Sequence, residues 1–407
     1  MMHMIPNNTV NTSTGYFENT TLALAADAAA RAIETRNAIP ILDNLWLSSS
    51  KPGILNVTGT DLDMWLTASI SADVPAGFNG TFSNKRFRNM LKKADRQKQI
   101  QIDMPAVIAI PPRGEASDGT YESEEKATIT IGKTTVRMES IPPQDFPDDI
   151  SFGKTPNNRF NMSGEEFCQA MEMVRGAIST EETRYYLNGI YIHAEGGKLI
   201  FVATDGHRLY HKSVDAPNGA DGMPGLIVPT KTVKVLEALT RGKAQPDAVC
   251  IECTDTWVRF SFRSPNGVGL ALTSKVIDGT FPDYRRLHND SFQTRAVRFD
   301  AAEMIAGIRS VAVITDEKMR IFQIDFADGK AGLFMRNEND DESSTEVDIE
   351  LDGEPIDTAF NHSYLIDAIE ATGSSTVRVG IADTGGPIKL TTGNDDGWYA
   401  LLMPARR

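Results

Sequence analysis

Cysteine is scarce in this chain: Cys168, Cys250 and Cys253 are the only three, which excludes a disulfide framework and fits a reducing cytoplasm. Cys250 and Cys253 form a C-x-x-C. In a strand-like run such as 248–253, residues three apart point to opposite faces, so shared metal or redox chemistry is not expected. No second cysteine pair exists to complete a zinc site, and the six histidines show no metal-ligand spacing. Long apolar runs are missing as well. Nothing approaches the ~18 residues of a membrane span, and the polar start, residues 1–19, lacks the apolar block of a signal peptide. A cytoplasmic protein with no membrane partner, metal or cofactor is therefore expected. With 407 residues, 41% of them hydrophobic, the chain is too long for one ordinary core, and two or three domains are anticipated.

Excess positive charge is also lacking. The formal net charge of -14 argues against a nucleic-acid partner, since phosphate contacts need Lys and Arg. Placement qualifies that exclusion. Acidic residues concentrate in 115–125 and 338–354, whereas 85–98 is a basic cluster opposed only by Asp95. Segregation of this kind permits a locally positive surface on an acidic protein.

Three helix starts repeat. Ser163 with Glu166 makes a capping box, followed at helical spacing by Phe167, Ala170, Met171, Val174 and Ile178. Asp300 with Glu303 opens a similar segment carrying Met304, Ile305, Ile308 and Val311. A third begins near Thr20, with Leu22, Ala25, Ala26, Ala29 and Ile33 on one face. About forty residues after each start comes a polar turn between strand-like runs: Thr60-Asp61, Thr204-Asp205 and Asn337-Glu338. A second amphipathic helix then begins near Ser83, Thr230 and Asn361. Proline marks each end, at Phe146-Pro147-Asp148, Phe281-Pro282-Asp283 and Met403-Pro404. The pattern predicts three α+β domains, each with two helices on one face of antiparallel sheets. The stretch 111–126, rich in Gly, Ser and acidic residues, reads as an exposed insertion in the first of them.

The second helix of the first unit is the most charged. Over 83–96, Phe87, Met90, Leu91 and Ala94 form a core face, while Lys85, Arg86, Arg88, Lys92, Lys93 and Arg96 occupy the rest. This is either an ordinary solvated face or a surface that meets DNA.

The run Ala203-Thr204-Asp205-Gly206-His207-Arg208-Leu209 packs Asp, His and Arg around a glycine. Asp205-Gly206 suits a two-residue hairpin turn between 198–204 and a strand resuming at His207. Ordinary hairpin polarity is one reading. A hydrolase or phosphotransfer centre, with His207 as base and Asp205 orienting it, is another, although no nucleophile or metal constellation accompanies it. Peptide capture is the third.

Two further stretches bear on the choice: Arg184-Tyr185-Tyr186-Leu187-Asn188-Gly189 upstream, and Ser274-Lys275-Val276-Ile277-Asp278-Gly279-Thr280-Phe281-Pro282-Asp283-Tyr284-Arg285-Arg286-Leu287 downstream. Together with the turn they closely resemble the bacterial DNA polymerase III β subunit, the sliding-clamp family. The similarity extends to Ile39-Pro40-Ile41-Leu42 and Thr58-Gly59-Thr60-Asp61-Leu62, and more weakly to Asp316-Glu317-Lys318 and the tail. The polar N-terminal extension has no clear counterpart.

The resemblance implies a noncatalytic processivity factor of clamp domains 1–152, 153–290 and 291–407. Two chains would close head to tail into a ring around duplex DNA, without reading its sequence. Twelve helices packed ~10 Å apart around that axis would leave a bore of roughly 28 Å. Arg36, Lys85, Arg86, Tyr185 and Tyr186 align with positions that approach DNA in the family, and Arg88 and Lys92 share the basic face. A pocket for linear segments of the polymerase III catalytic subunit, the clamp loader, other polymerases and repair proteins is implied at Arg184, Tyr186, Leu187, Thr204, Gly206, His207, Arg208 and Leu209. Pro282, Arg286, Leu287, Asn361, Ser363, Tyr364, Leu401, Met403 and Pro404 complete it. Family members commonly end in Met-Pro-Met-Arg and an apolar residue, whereas this chain ends Met403-Pro404-Ala405-Arg406-Arg407, which implies a wider or shallower pocket.

Overall fold

The computed structural model describes residues 13–105, 126–141, 143–151, 154–287, 295–315, 320–383, 385–394 and 396–405. The N-terminal extension through residue 12, the insertion at 111–125, the Asp316-Glu317-Lys318 motif and the terminal Arg406 and Arg407 lie outside these residues. Two compact units emerge. One comprises Met1–Thr155, Ala238–Cys250 and Arg259–Lys275, and the other Pro156–Glu237, Ile251–Val258 and Val276–Arg407.

The architecture is α+β, and the repeat is visible in element order. A strand leads into a helix at Ser13–Glu18 and α1 (Asn19–Ala29), and again, after α2 (Asn84–Lys93), at Asn158–Ser163 and α3 (Gly164–Arg175). After α4 (Thr230–Thr240) the third copy runs from Arg295–Asp300 into α5 (Ala301–Val311). The strands Asn79–Ser83, Leu226–Pro229 and Ile356–Asn361 lead in the same way into α2, α4 and α6 (His362–Thr372).

Local chemistry explains these boundaries. Ser163 accepts from the Glu166 amide and Asp300 from the Glu303 amide, satisfying donors that the first turn of a helix leaves free. The first helix departs from expectation at its end. It starts at Asn19, beside the expected Thr20, and the buried Asn19 amide donates to the carbonyls of Leu91, Ala94 and Asp95, closing the end of α2. It stops early: residues 30–32 tighten into a 3-10 turn and Ile33 is extended, so Ile33 is not on the helical face. Gly59 explains the crowding there, since a Cβ on it would lie 2.4 Å from the Ala29 carbonyl oxygen. Similarly α2 ends at Lys93, with Ala94 extended. Phe87 and Leu91 are its buried residues, and Met90 and Ala94 are half-buried.

Strands show the alternation that a one-sided core requires. Ile100, Ile102 and Met104 point inward along Gln99–Met104, as do Phe322, Ile324 and Phe326 along Ile321–Ala327. In Ala248–Cys253, Cys250 is half-buried and Cys253 buried, and burial pushes the Cys253 thiol up to about 11. That is an unreactive thiol. In the second unit nine strands run Leu226–Pro229, Gly189–Glu195, Lys198–Thr204, Arg208–Asp215, Trp398–Leu402, Ile388–Thr391, Thr376–Ile381, Arg295–Asp300 and Glu350–Asp352. The antiparallel pairing of Arg208–Asp215 with Trp398–Leu402 brings the last strand of the chain beside the 205–208 turn.

Candidate functional site

The turn is built by its own side chains. Asp205 Oδ1 accepts from the amides of both His207 and Arg208 at 2.9 Å. Thr204 Oγ1 accepts from the Gly206 amide at 3.1 Å and donates to the Arg208 carbonyl at 2.6 Å. The turn lies one residue further along than the sequence expectation. Gly206 and His207 are central, and the strand resumes at Arg208 rather than His207. Gly206 has φ +89°, where a residue without Cβ is at ease.

Arg208 is equally committed. Its Nε donates to Asp205 Oδ2 at 3.1 Å and its Nη1 to Asp367 Oδ2 at 2.6 Å, and the guanidinium lies 4.4 Å from the Tyr364 ring centroid. Burial opposes its charge, but Tyr210, Asp367 and Asp205 outweigh that and hold its pKa above the ordinary arginine value. Both Asp205 oxygens therefore hold structure. Among the described residues no carboxylate orients His207, whose ring stacks 6.1 Å from Tyr364.

Beside the turn opens a cavity of about 470 Å³. Leu187, Leu209 and Leu401 floor it and are buried in a cluster with Ile200, Val202, Ile227, Phe281 and Tyr284. Tyr186, Pro282, Leu287 and Met403 form its walls, and Leu287 and Met403 are exposed at 42% and 41%. Thr204, Gly206, His207 and Arg208 edge one side; Arg184, ion-paired to Glu181 at 3.2 Å, and Arg286, ion-paired to Asp283 at 3.3 Å, frame the mouth. Apolar walls with polar groups at the rim suit an extended segment that buries side chains while its backbone is held.

Four expected residues do not line this cavity. Asn361 is the N-cap of α6, accepting from the Ser363 amide at 3.0 Å, and both support that helix start. Tyr364 acts through its faces on His207 and Arg208. Pro404 lies between two backbone tethers, Met403 N–H to the His207 carbonyl at 2.9 Å and Ala405 N–H to the Ala359 carbonyl at 2.8 Å. Conversely, the sequence reading missed Asp283, Tyr284 and Pro387 in the lining and Asp367 behind Arg208. Asp283 and Tyr284 sat inside a quoted motif; nothing local marked Pro387 or Asp367.

His193 Nε2 and the hydroxyl of Tyr284, a lining residue, are 2.9 Å apart, and the imidazole stacks on Tyr191 at 4.9 Å. Burial lowers the His193 pKa below its ordinary 6.5, with Glu195 opposing and Arg285 reinforcing. The unfolded chain then binds the proton more readily. The stabilising contribution is present above pH 6.5 and is lost as pH falls from there through the folded value. Thermal melts at stepped pH should show this fall, and His193→Gln should flatten it.

Comparison with known proteins decides the family. Residues 17–109 match the DNA polymerase III beta subunit N-terminal domain, 161–283 its central domain and 291–406 its C-terminal domain. The chain belongs to the DNA polymerase III β-subunit family, the bacterial sliding clamps. A beta sliding clamp of Caulobacter vibrioides is 33% identical over 391 residues, spanning 92% of this chain and 94% of the relative. That of Pseudomonas aeruginosa is 26% identical over 374 residues, again 92% and 94%. Among solved structures, the Bartonella birtlesii sliding clamp bound to griselimycin superposes with a TM-score of 0.85 at 28% identity, covering 98% of this chain and 100% of that one. The Caulobacter crescentus clamp gives 0.84 at 31%, covering 97% and 99%. As a member of the clamp family the chain is a noncatalytic subunit of the replicative polymerase, not a hydrolase centred on Asp205, His207 and Arg208.

The residues expected from the sequence to face DNA are unequally free. Arg36, Lys85 and Arg86 are exposed. Arg88 Nε bonds Asp27 at 2.6 Å and Lys92 Nζ lies 3.6 Å from the same carboxylate, so part of the basic face is neutralised by α1. Tyr185 is 54% exposed and meets Tyr186 edge to face at 5.8 Å.

Proposed function

We propose that this clamp works as a head-to-tail homodimer of three domains per chain, 1–152, 153–290 and 291–407. The ring encircles duplex DNA in the cytoplasm and tethers the replicative polymerase. The cavity beside the 205–208 turn is the docking place for short linear segments of the polymerase III catalytic subunit, the clamp loader, other polymerases and repair proteins. The observation that carries the pocket is an apolar floor of Leu187, Leu209 and Leu401 beneath two exposed apolar walls, Leu287 and Met403. Monomeric soluble surfaces seldom leave such apolar walls open without a partner.

Encirclement requires neither base contacts nor tight phosphate contacts, because strong binding anywhere would oppose sliding. The acidic chain fits that need: its net charge of -14 discourages adhesion outside, while Lys85, Arg86, Tyr185 and Arg36 offer weak attraction within. The test is retention on DNA after loading. A ring stays on closed circular DNA and runs off linearised DNA, with a solution mass near twice the 44.6 kDa chain. Lys85→Glu with Arg86→Glu, both off the apolar stripe, should reduce loading or retention without unfolding the protein. A strictly monomeric mass at micromolar concentration, or equal retention on both DNA forms, would reject the ring.

A further inference from the structure

The first repeat contains a second copy of the pocket turn, and we propose that this copy is a peptide site closed by its own side chain, Leu62. The inference rests on the peptide-capture reading of the 205–208 cavity and explains which repeat can take a peptide.

The two turns correspond bond for bond. Thr60 Oγ1 donates to the Met64 carbonyl at 2.8 Å and accepts from the Leu62 amide at 3.0 Å, as Thr204 does with Arg208 and Gly206. Asp61 Oδ1 accepts from the amides of Asp63 and Met64 at 2.9 and 2.8 Å, as Asp205 does from His207 and Arg208. Thr60 pairs with Trp65 as Thr204 pairs with Leu209. The following strand also has the same neighbour: Lys275 N–H donates to the Asp63 carbonyl at 2.9 Å, as Met403 N–H donates to that of His207. The Phe-Pro-Asp ends match too, and Trp65 Nε1 donates to the Pro147 carbonyl at 3.3 Å.

Against this shared frame the side chains differ at decisive places. Leu62 stands where Gly206 stands, in the same left-handed region at φ +75°. A leucine rarely accepts that backbone, so something must hold it there. Its side chain packs on Ile41, Leu42 and Phe146, the counterparts of Tyr186, Leu187 and Phe281. Leucine thus covers in the first repeat the apolar surface that remains open in the second. The opposite wall is closed to apolar ligands as well. Lys275 replaces Met403 and its Nζ pairs with Asp63 at 3.1 Å, while Thr273 replaces Leu401. In the second repeat, a Cβ on Gly206 would point at Arg184 Nη1, 2.9 Å away on the pocket rim. The missing side chain at Gly206 is what leaves that pocket open.

Gly206→Ala and Gly206→Leu in the full-length protein separate plugging from strain, because both put a Cβ at the same positive φ and only leucine is long enough to reach the floor. A fluorescent peptide carrying a clamp-binding segment of the replicative polymerase serves as the probe. Gly206→Leu should bind it about tenfold or more weakly than Gly206→Ala, with equal losses of melting temperature and an unchanged solution mass. Equal affinities of the two variants, whether both weakened or both intact, would overturn the proposal. Leu62→Gly should uncover Ile41, Leu42 and Phe146 and raise binding of the apolar dye 8-anilinonaphthalene sulfonate at unchanged far-ultraviolet dichroism, and a folded variant with unchanged dye binding would equally overturn it. Failure of the unmodified protein to bind the peptide would instead strike the pocket reading itself.

Discussion

Met403→Ala is expected to weaken binding of a polymerase-derived peptide by about tenfold or more, the scale of an interface anchor, while folding and solution mass are preserved. Met403 is 41% exposed at the cavity wall and is fixed by its backbone bond to His207, which the substitution keeps. Leu209→Ala should behave differently. At 3% exposure Leu209 belongs to the core under the cavity as much as to the cavity itself. Its truncation should cost about 2–5 kcal/mol of stability through lost burial and the void left behind, so any loss of peptide affinity would be mixed with a loosened floor. Calorimetric titration and denaturant unfolding on both variants check the division. Unchanged affinity in folded Met403→Ala would remove the wall from the proposed site.

Arg208→Ala is expected to destabilise the protein by about 2 kcal/mol and to weaken the peptide site at once. The guanidinium joins two parts of the structure: the turn through Asp205, and α6 through both Asp367 and the Tyr364 ring. Removing one member of a largely desolvated pair leaves its partner without compensation. Asp367 is nearly half exposed and can return to water, whereas Asp205 is 15% exposed and cannot readily do so. Arg208→Lys should recover only part of the loss, because a point charge cannot serve two carboxylates and stack on tyrosine as a planar fork does. Unfolding of wild type, Arg208→Ala, Arg208→Lys and Asp367→Ala measures this. Full recovery by lysine would show that charge alone matters there.

Much of the site was legible in one dimension because it is made of local bonds. The Thr204-Asp205-Gly206 turn is closed by side chains within four residues of one another, so its existence followed from residue type. Its register did not. The Asp205 carboxylate could serve the next amides in more than one arrangement, and the strand pairing selected the one with His207 at the tip. Helix beginnings at Ser163 and Asp300 were likewise readable from capping chemistry. Helix endings were less so. Residues 30–33 leave the helix because the strand around Gly59 occupies the space, and that neighbour is not coded near Ile33.

The sequence by itself determined the three-fold recurrence of elements, the basic face of α2, and the motifs that place the chain among clamps. Each depends on periodicity or on short-range identity, which a linear chain carries directly. Only the tertiary structure decided what lies across the fold from them. It put Asp367 on Arg208, Asp27 on Arg88 and Lys92, and Pro387 in the cavity, and it made Leu209 core as well as cavity floor. These pairings join residues that sequence separation makes independent. Charge neutralisation and burial depend on what is near in space, so they were fixed only when the strands and helices met.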